Sequence, residues 1–527
     1  MAPPAADDDD GAMAASAAGR FTETGLDEPL VRGSVNHERS SVESQRRSSQ
    51  LDRRSSRLSA HDRASLVTHG DWQTFLWDSF ALMFGGTQLG YAMGQMGWAW
   101  GSAWLAFSAY STWLSGHLIA DMVVRTGAGS FPELGDAAWG ARGRWLVVAL
   151  QWSGYYLGAV AQIAYMGASW DQTFRGQAWA AGVCQSQWMG VTALCLWPFM
   201  MVPSFTAFQG LALFSSLAAV FLTLVYLGQI AAFGAYAAGG GPCYDQWTTV
   251  TMLTNVCNMA FTFSGHGTFP EQIRELKNPR ADFTRAFDLL YAGAIPFYAL
   301  CALVAFWAFG NANSAVYIEN LRLDAYVHVA LYATLVAMFP VIVLGIVVLL
   351  LQVELPLGVL PRDTLVNTSD AHETSRAAAA VRCVPPVVFR LVFRTLFLAS
   401  MLLFAEMLIG AGLAFFANIA GALGLCATTY WLPYLLYFQL YGDELSRGRK
   451  LNFAVNLVGG LVISGTGTYY NVKDLFEGSF HMFKEESCTE GAYFWGNHMW
   501  DENLGNTTLA YQTLVVGCCE QGLTCGN

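Results

Sequence analysis

Charge is what this chain has least of. Asp, Glu, Lys and Arg make up 13% of its 527 residues and hydrophobic residues 54%, where soluble domains carry roughly 25% charge. The charges also cluster, leaving long stretches free of them, and this excludes an ordinary soluble domain. Other absences narrow the class. No phosphate-cradling GxxxxGK[ST] loop occurs, which disfavours an ATP-driven pump. No nucleophile elbow or metal-ligand spacing accompanies Ser264 and His266, so a membrane hydrolase is disfavoured and neither metal nor cofactor is expected. No Lys falls within the apolar runs, so coupling through an intramembrane amine is not expected. The net charge of −11 comes from Asp7 to Asp10 and acidic later segments, and it gives no argument for nucleic acid. Residues 1–70 lack the apolar core of a secretory signal peptide.

What is there is a series of apolar runs, each close to the roughly 20 residues that cross a bilayer. Eleven are read: 74–98, 100–122, 145–168, 188–203, 209–236, 248–270, 286–310, 324–352, 387–408, 411–440 and 452–470. The expected fold is therefore an all-α integral membrane protein with 11 transmembrane helices. With a cytoplasmic N-terminus, 24 of the 28 Lys and Arg fall inside, and the short loops alone split 15 to 4, as the positive-inside rule requires. An odd number of spans then puts the C-terminus outside. Polar residues 1–70 are expected to form a disordered cytoplasmic tail. Residues 71–470 would form the transmembrane domain, and 471–527 an extracellular tail.

Cysteines fit this orientation. Cys184 and Cys243 sit in the two sizeable outer loops of the first half and are expected to pair. Asn506, in Asn506-Thr507-Thr508, is a glycosylation acceptor on the same side.

Two of the runs are interrupted. The sixth carries Ser264-Gly265-His266-Gly267 followed by Pro270 and Glu271, and the first carries Gly85, Gly86, Gly90, Gly94 and Gly97. Backbone that leaves the helix at membrane depth must line a cavity or be buried in protein. The glycines of the first run could equally form a small-residue packing face. Breaks five spans apart point to a secondary transporter with inverted repeats, whose half-helix N-termini face an anionic substrate group near the midplane. His266 has two readings: a group that takes up a proton or contacts substrate, or a ring that braces the opened backbone through a neighbouring carbonyl. Glu271 also has two, as a helix N-terminal charge or as half of an inner-gate ion pair. Asp78, early in the first run, is expected to be solvated.

The segment FSGHGTFPEQIRELKNP (263–279) resembles the sixth-span signature of the amino acid/auxin permease family, part of the amino acid–polyamine–organocation superfamily. GYAMGQMGW (90–98) is similar to that family's first-span motif, usually written LPYAMAQLGW. VPSF (202–205), FWAFGNA (306–312) and YYNVKDLF (469–476) add to the likeness, the first and last being nearest the auxin influx carriers. The resemblance implies a LeuT-like 5+5 inverted repeat plus one extra helix, with the first and sixth helices broken. It implies proton-coupled uptake of amino acids or auxin-like carboxylic acids, with the substrate, the proton and the lipid bilayer as partners, most naturally at the plasma membrane. Carried over, the loop Gly85, Gly86, Thr87, Gln88 to Gly90 would hold the substrate carboxylate, and Ser264, Gly265 and His266 would contact it from the sixth span. The family's first-span Pro is Gly90 here and one of its glycines is Met83, which alters the shape of that break. A sodium-coupled carrier of the same fold, with Thr334 as an eighth-span hydroxyl, and a non-transporting nutrient receptor are the competing readings.

Overall fold

The computed structural model describes residues 70–83, 88–174, 177–180, 183–201, 205, 208–233, 249–310, 313, 325–357, 359, 384–407 and 418–477. The N-terminal tail, Gly85 to Thr87, Cys243 and Asn506 lie outside the described residues. Those described are helical apart from short connections, with one isolated parallel bridge between Gly70 and Leu276. In chain order the helices are α1 (Trp72–Leu82), α2 (Leu89–Thr126), α3 (Phe131–Trp139), α4 (Ala141–Phe174), α5 (Gln185–Phe199), α6 (Gln209–Phe233) and α7 (Thr249–Thr262). There follow α8 (Phe269–Arg274), α9 (Pro279–Phe309), α10 (Ala325–Leu357), α11 (Pro386–Met407), α12 (Leu432–Tyr441) and α13 (Arg447–Glu477). Among the described residues six helices are long and apolar enough to cross a membrane, or seven if the bent pair Asn418–Leu425 and Ala427–Glu444 is one span.

The first predicted run divides into α1 and the start of α2. Asp71 starts α1, its carboxylate accepting from Gln73 N (2.9 Å) and Thr74 N (3.2 Å), a cap worth about 1 kcal/mol. Helix α2 is in fact two helices that meet at Gly97, whose φ of 75° and ψ of 174° belong to a region open only to glycine. The first two predicted runs thus join at a corner, not a loop.

Three further features depart from the sequence reading. The loop after α2 holds α3, started by Ser130, whose hydroxyl accepts from Glu133 N, and by Pro132. The run 411–440 is not a plain helix: Gly421–Leu425 and Ala427–Trp431 are π-helical turns ahead of α12. Glycines let this irregular stretch approach its neighbours, Gly424 against Gly154 of α4 and Gly421 against Cys257 O of α7. Finally α13 continues to Glu477, past the expected boundary at 470.

The apolar interior falls into two clusters. One is built chiefly on α4, α5, α6, α10 and α11, the other on α1, α2, α7, α8, α9 and α12. Helix α10 is the most deeply buried of the apolar helices. At one end of the molecule Arg125 closes α2 onto α12: its guanidinium meets both oxygens of Glu444 (2.7 and 2.8 Å) and lies 3.6 Å from the Tyr441 ring centroid. Asp121 accepts from Tyr437 Oη at 2.9 Å.

Cys184 is disulfide-bonded, while Cys195, Cys257, Cys301 and Cys426 are free.

Candidate functional site

Both breaks are local consequences of sequence. Helix α1 ends at Met83, whose carbonyl accepts from Tyr298 Oη of α9, and the chain resumes as helix at Leu89. Helix α7 ends at Thr262. Gly265 then takes φ 130°, which an L side chain would resist, and a 3-10 turn over His266–Thr268 leads into α8 at Phe269-Pro270. Thr268 Oγ1 returns to Gly265 O at 2.7 Å, and Gln151 Nε2 of α4 donates to Gly267 O at 2.6 Å. Gln151 is itself held by Gln352 Nε2 of α10 at 2.6 Å, and Gln352 Oε1 accepts from Trp152 Nε1 at 3.0 Å. An amide chain from two neighbouring helices thus satisfies a carbonyl that the opened helix strands.

A cavity of about 800 Å³, counting its open mouth, lies between the breaks. Leu82 and Gln88 flank the first break and Ser264 and Gly265 come from the second. Helix α4 contributes Tyr155, Gly158, Gln162 and Tyr165, and α10 contributes Met338, Val341, Ile342 and Gly345. Its polar side chains are Gln88, Gln162, Ser264 and the two tyrosines, and among the described residues none in its lining is charged. A Cβ added at Gly158 or Gly345 would meet nothing nearer than 3.8 and 3.6 Å, so both glycines leave room in the cavity.

Of the residues named from the sequence, Gln88, Ser264 and Gly265 line this cavity. Gly90 does not. It is packed against Ala305 and Asn313, where a Cβ would come within 2.5 Å of each, so this glycine belongs to the packing face. His266 is also away from the cavity lining. It is fully buried, its Nε2 donates to Thr112 O of α2 at 2.8 Å, and its ring lies against Phe269 (centroids 4.5 Å apart) and Phe287. A carbonyl can only accept, so Nε2 carries the hydrogen of the neutral ring and the basic lone pair is on Nδ1. Nδ1 has no hydrogen-bond partner. The turn after Gly265 directs the ring toward α2, into the bracing contact with Thr112 O.

Glu271 sits in the first turn of α8 and is 4% exposed. One oxygen accepts from Phe131 N at 3.4 Å, joining the sixth-span break to α3. No cation lies within 4 Å of it among the described residues. Thr334 donates to Ala330 O at 2.9 Å and is not among the cavity-lining residues. Asp78, expected near water, is 1% exposed.

The sequence reading missed the α4 and α10 walls, Tyr155, Gln162 and Gly345 among them. Signals existed in the small residues Gly154, Gly158 and Gly345 within apolar runs, but such residues equally mark helix packing.

A family model described as transmembrane amino acid transporter protein matches residues 84–472. Among curated proteins none matches the chain. Among solved structures, a Na+-coupled sialic acid symporter in a substrate-bound, outward-open state is 12% identical with a TM-score of 0.43, covering 80% of this chain and 92% of that one. A manganese transporter of Eremococcus coleocola, in complex with an aromatic bis-isothiourea substituted compound, is 12% identical with a TM-score of 0.42, covering 88% and 94%. On the family match, which spans most of its length and both breaks, the chain belongs to the transmembrane amino acid transporter family and is an integral membrane transporter, not an enzyme.

Proposed function

We propose that the protein is a proton-coupled symporter that takes up a neutral amino acid or an auxin-like carboxylic acid across the plasma membrane. Eleven spans in a 5+5 inverted repeat plus one helix, a cytoplasmic N-terminus and an outer C-terminus complete this reading. The observation that carries it is the uncharged cavity between two interrupted helices. In it the substrate carboxylate is held by backbone N–H groups of the first break, from Gly85 to Gln88, and of Ser264 and Gly265, because such groups and the dipole of a restarted helix favour an anion. Gln162, Tyr155 and Tyr165 orient the remaining polar group, and the apolar wall of α10 takes the side chain. With no charged side chain in the lining, a substrate bearing a further net charge would lose its hydration without a partner. His266 enters as the proton group through Nδ1, set apart from the substrate. Glu271 ties the moving half-helix to α3, a Cys184–Cys243 pair closes the outer loops, and Asn506 is glycosylated.

Uptake of labelled neutral amino acids and indole-3-acetic acid, in cells lacking their own carriers, tests this at acid and neutral outer pH. Accumulation that follows the proton gradient is expected. Accumulation that follows sodium and ignores the proton gradient would overturn the coupling. Gly345→Leu, whose Cβ meets nothing nearer than 3.6 Å, fills the cavity and is expected to raise KM at least about tenfold, a loss of roughly 1.4 kcal/mol in binding. His266→Ala is expected to leave substrate binding intact and remove proton dependence; a variant that accumulates substrate like the parent would take His266 out of the mechanism.

A further inference from the structure

Two glycines flank His266, and they are glycine for different reasons. Gly265 takes φ 130°, while a Cβ there would meet nothing nearer than 4.0 Å, so its conformation calls for glycine and its surroundings do not. Gly267 is the reverse. It lies within the 3-10 turn His266–Thr268 and is not among the positive-φ glycines, so any residue could adopt its backbone. A Cβ there, however, would stand 2.6 Å from Tyr155 Cε2, 2.9 Å from its Oη and 3.2 Å from its Cζ. What the missing side chain supplies at 267 is room for the Tyr155 ring.

Tyr155 is part of the cavity wall, whereas Gly267 is not in the lining. The ring is 6% exposed and its Oη has no hydrogen-bond partner, so packing alone sets where it stands. One edge abuts Gly267. Its Cδ1 faces Gly345 of α10, a lining glycine where a Cβ would come no nearer than 3.6 Å. The backbone at 267 has less freedom than the ring. Gln151, one turn before Tyr155 on α4, donates to Gly267 O at 2.6 Å and is held in turn by Gln352 at 2.6 Å. Thr268 N and Oγ1 both donate to Gly265 O, fixing the same turn. A side chain added at 267 therefore displaces the ring and not the turn. Ordinary contact begins at 3.4 Å, so the ring edge has to move by roughly 0.8 Å. The space open to it is the cavity.

We propose that Gly267 is a specificity-determining residue that never touches the substrate: by letting Tyr155 stand back, it admits the larger members of the substrate class. This rests on the cavity being the substrate site. A pocket discriminates by how its space is filled, and a single methylene is worth about 10–200-fold. A Tyr155 ring advanced into the cavity penalises the largest substrates and spares the smallest.

Competition for uptake in carrier-deficient cells tests this. The tracer is whichever of labelled alanine, tryptophan and indole-3-acetic acid the parent accumulates, and unlabelled analogues of increasing side-chain size compete with it. Gly267→Ala is expected to raise the inhibition constant of the largest analogues at least about tenfold relative to that of the smallest. Tyr155→Leu lacks the Cε2, Cζ and Oη that the new Cβ meets, so in that background Gly267→Ala is expected to leave the ratio within about twofold. An equal shift in both backgrounds, an equal loss of large and small analogues, or a Gly267→Ala chain that does not fold would each overturn the assignment. A parent that accumulates none of the tracers overturns the transport reading and this inference with it. An accumulating parent whose ratio Gly267→Ala leaves unmoved overturns this inference alone.

Discussion

Arg394→Ala is expected to destabilise the protein by about 3–5 kcal/mol, the cost of leaving one partner of a buried ion pair alone. Arg394 and Glu354 are both fully buried, and the guanidinium grips the carboxylate through Nε (2.6 Å) and Nη2 (2.7 Å). Its Nη1 also donates to Met200 O at the end of α5. Arg390 approaches the same carboxylate at 3.7 Å and donates to Met201 O at 3.2 Å. One carboxylate thus joins α10, α11 and the end of α5, and α5 leaves two carbonyls there that the arginines satisfy. The complementary change Glu354→Gln is expected to cost as much, because it leaves the buried Arg394 guanidinium and the half-buried Arg390 guanidinium without their carboxylate. Arg394→Met combined with Glu354→Gln should recover part of the loss, since paired removal strands no charge at Arg394. Thermal melting of detergent-purified protein measures all three. An Arg394→Ala variant within about 1 kcal/mol of the parent would mean that water reaches this cluster.

The second large effect concerns Gly424. A Cβ there would overlap the backbone N and Cα of Gly154 and the carbonyl O of Leu150. The atoms in the way are backbone, which cannot rotate aside, so Gly424→Ala must push the π-helical stretch away from α4. Overpacking of this kind costs about 1–3 kcal/mol where side chains can adjust, and more is expected here. Leu425 and Gly154 both line the cavity, so the separation should also weaken substrate binding. Gly228→Ala is the control, since a Cβ there meets nothing within 4 Å; it should melt with the parent. Equal melting of Gly424→Ala and Gly228→Ala would show that the two backbones are not in contact.

Much of this architecture could be read from the sequence, and the reason is physical. Apolar runs near the length of a bilayer crossing leave little choice of structure, because helices satisfy their own backbone. The breaks at 83–88 and 263–268 were legible through glycine density and His266; the second is present, and helix is described up to Leu82 and again from Leu89 on either side of the first. Individual side chains were harder. His266 looked like a substrate ligand because sequence gives its depth but not its direction; one residue of turn geometry at Gly265 decides which helix the ring meets. Asp78 looked solvated because its position near the start of a run suggested an interface, whereas α1 is packed against α6, α9 and α10 and leaves Asp78 1% exposed. Arg390 and Arg394 read as positive-inside charges, and nothing in the spacing announced that Glu354, 40 residues before Arg394, would meet them. The π-helical stretch was illegible because Gly421 and Gly424 are equally at home in a regular helix.

The corner at Gly97 bears on how force can travel through the molecule. The chain turns there within a single residue, so the piece of helix from Leu89 and the long helix after Gly97 meet with no slack between them. A tilt of the piece from Leu89 to Met96 is therefore passed on undiminished as rotation of its long neighbour, and Gly97 is the elbow through which that piece can act as a lever.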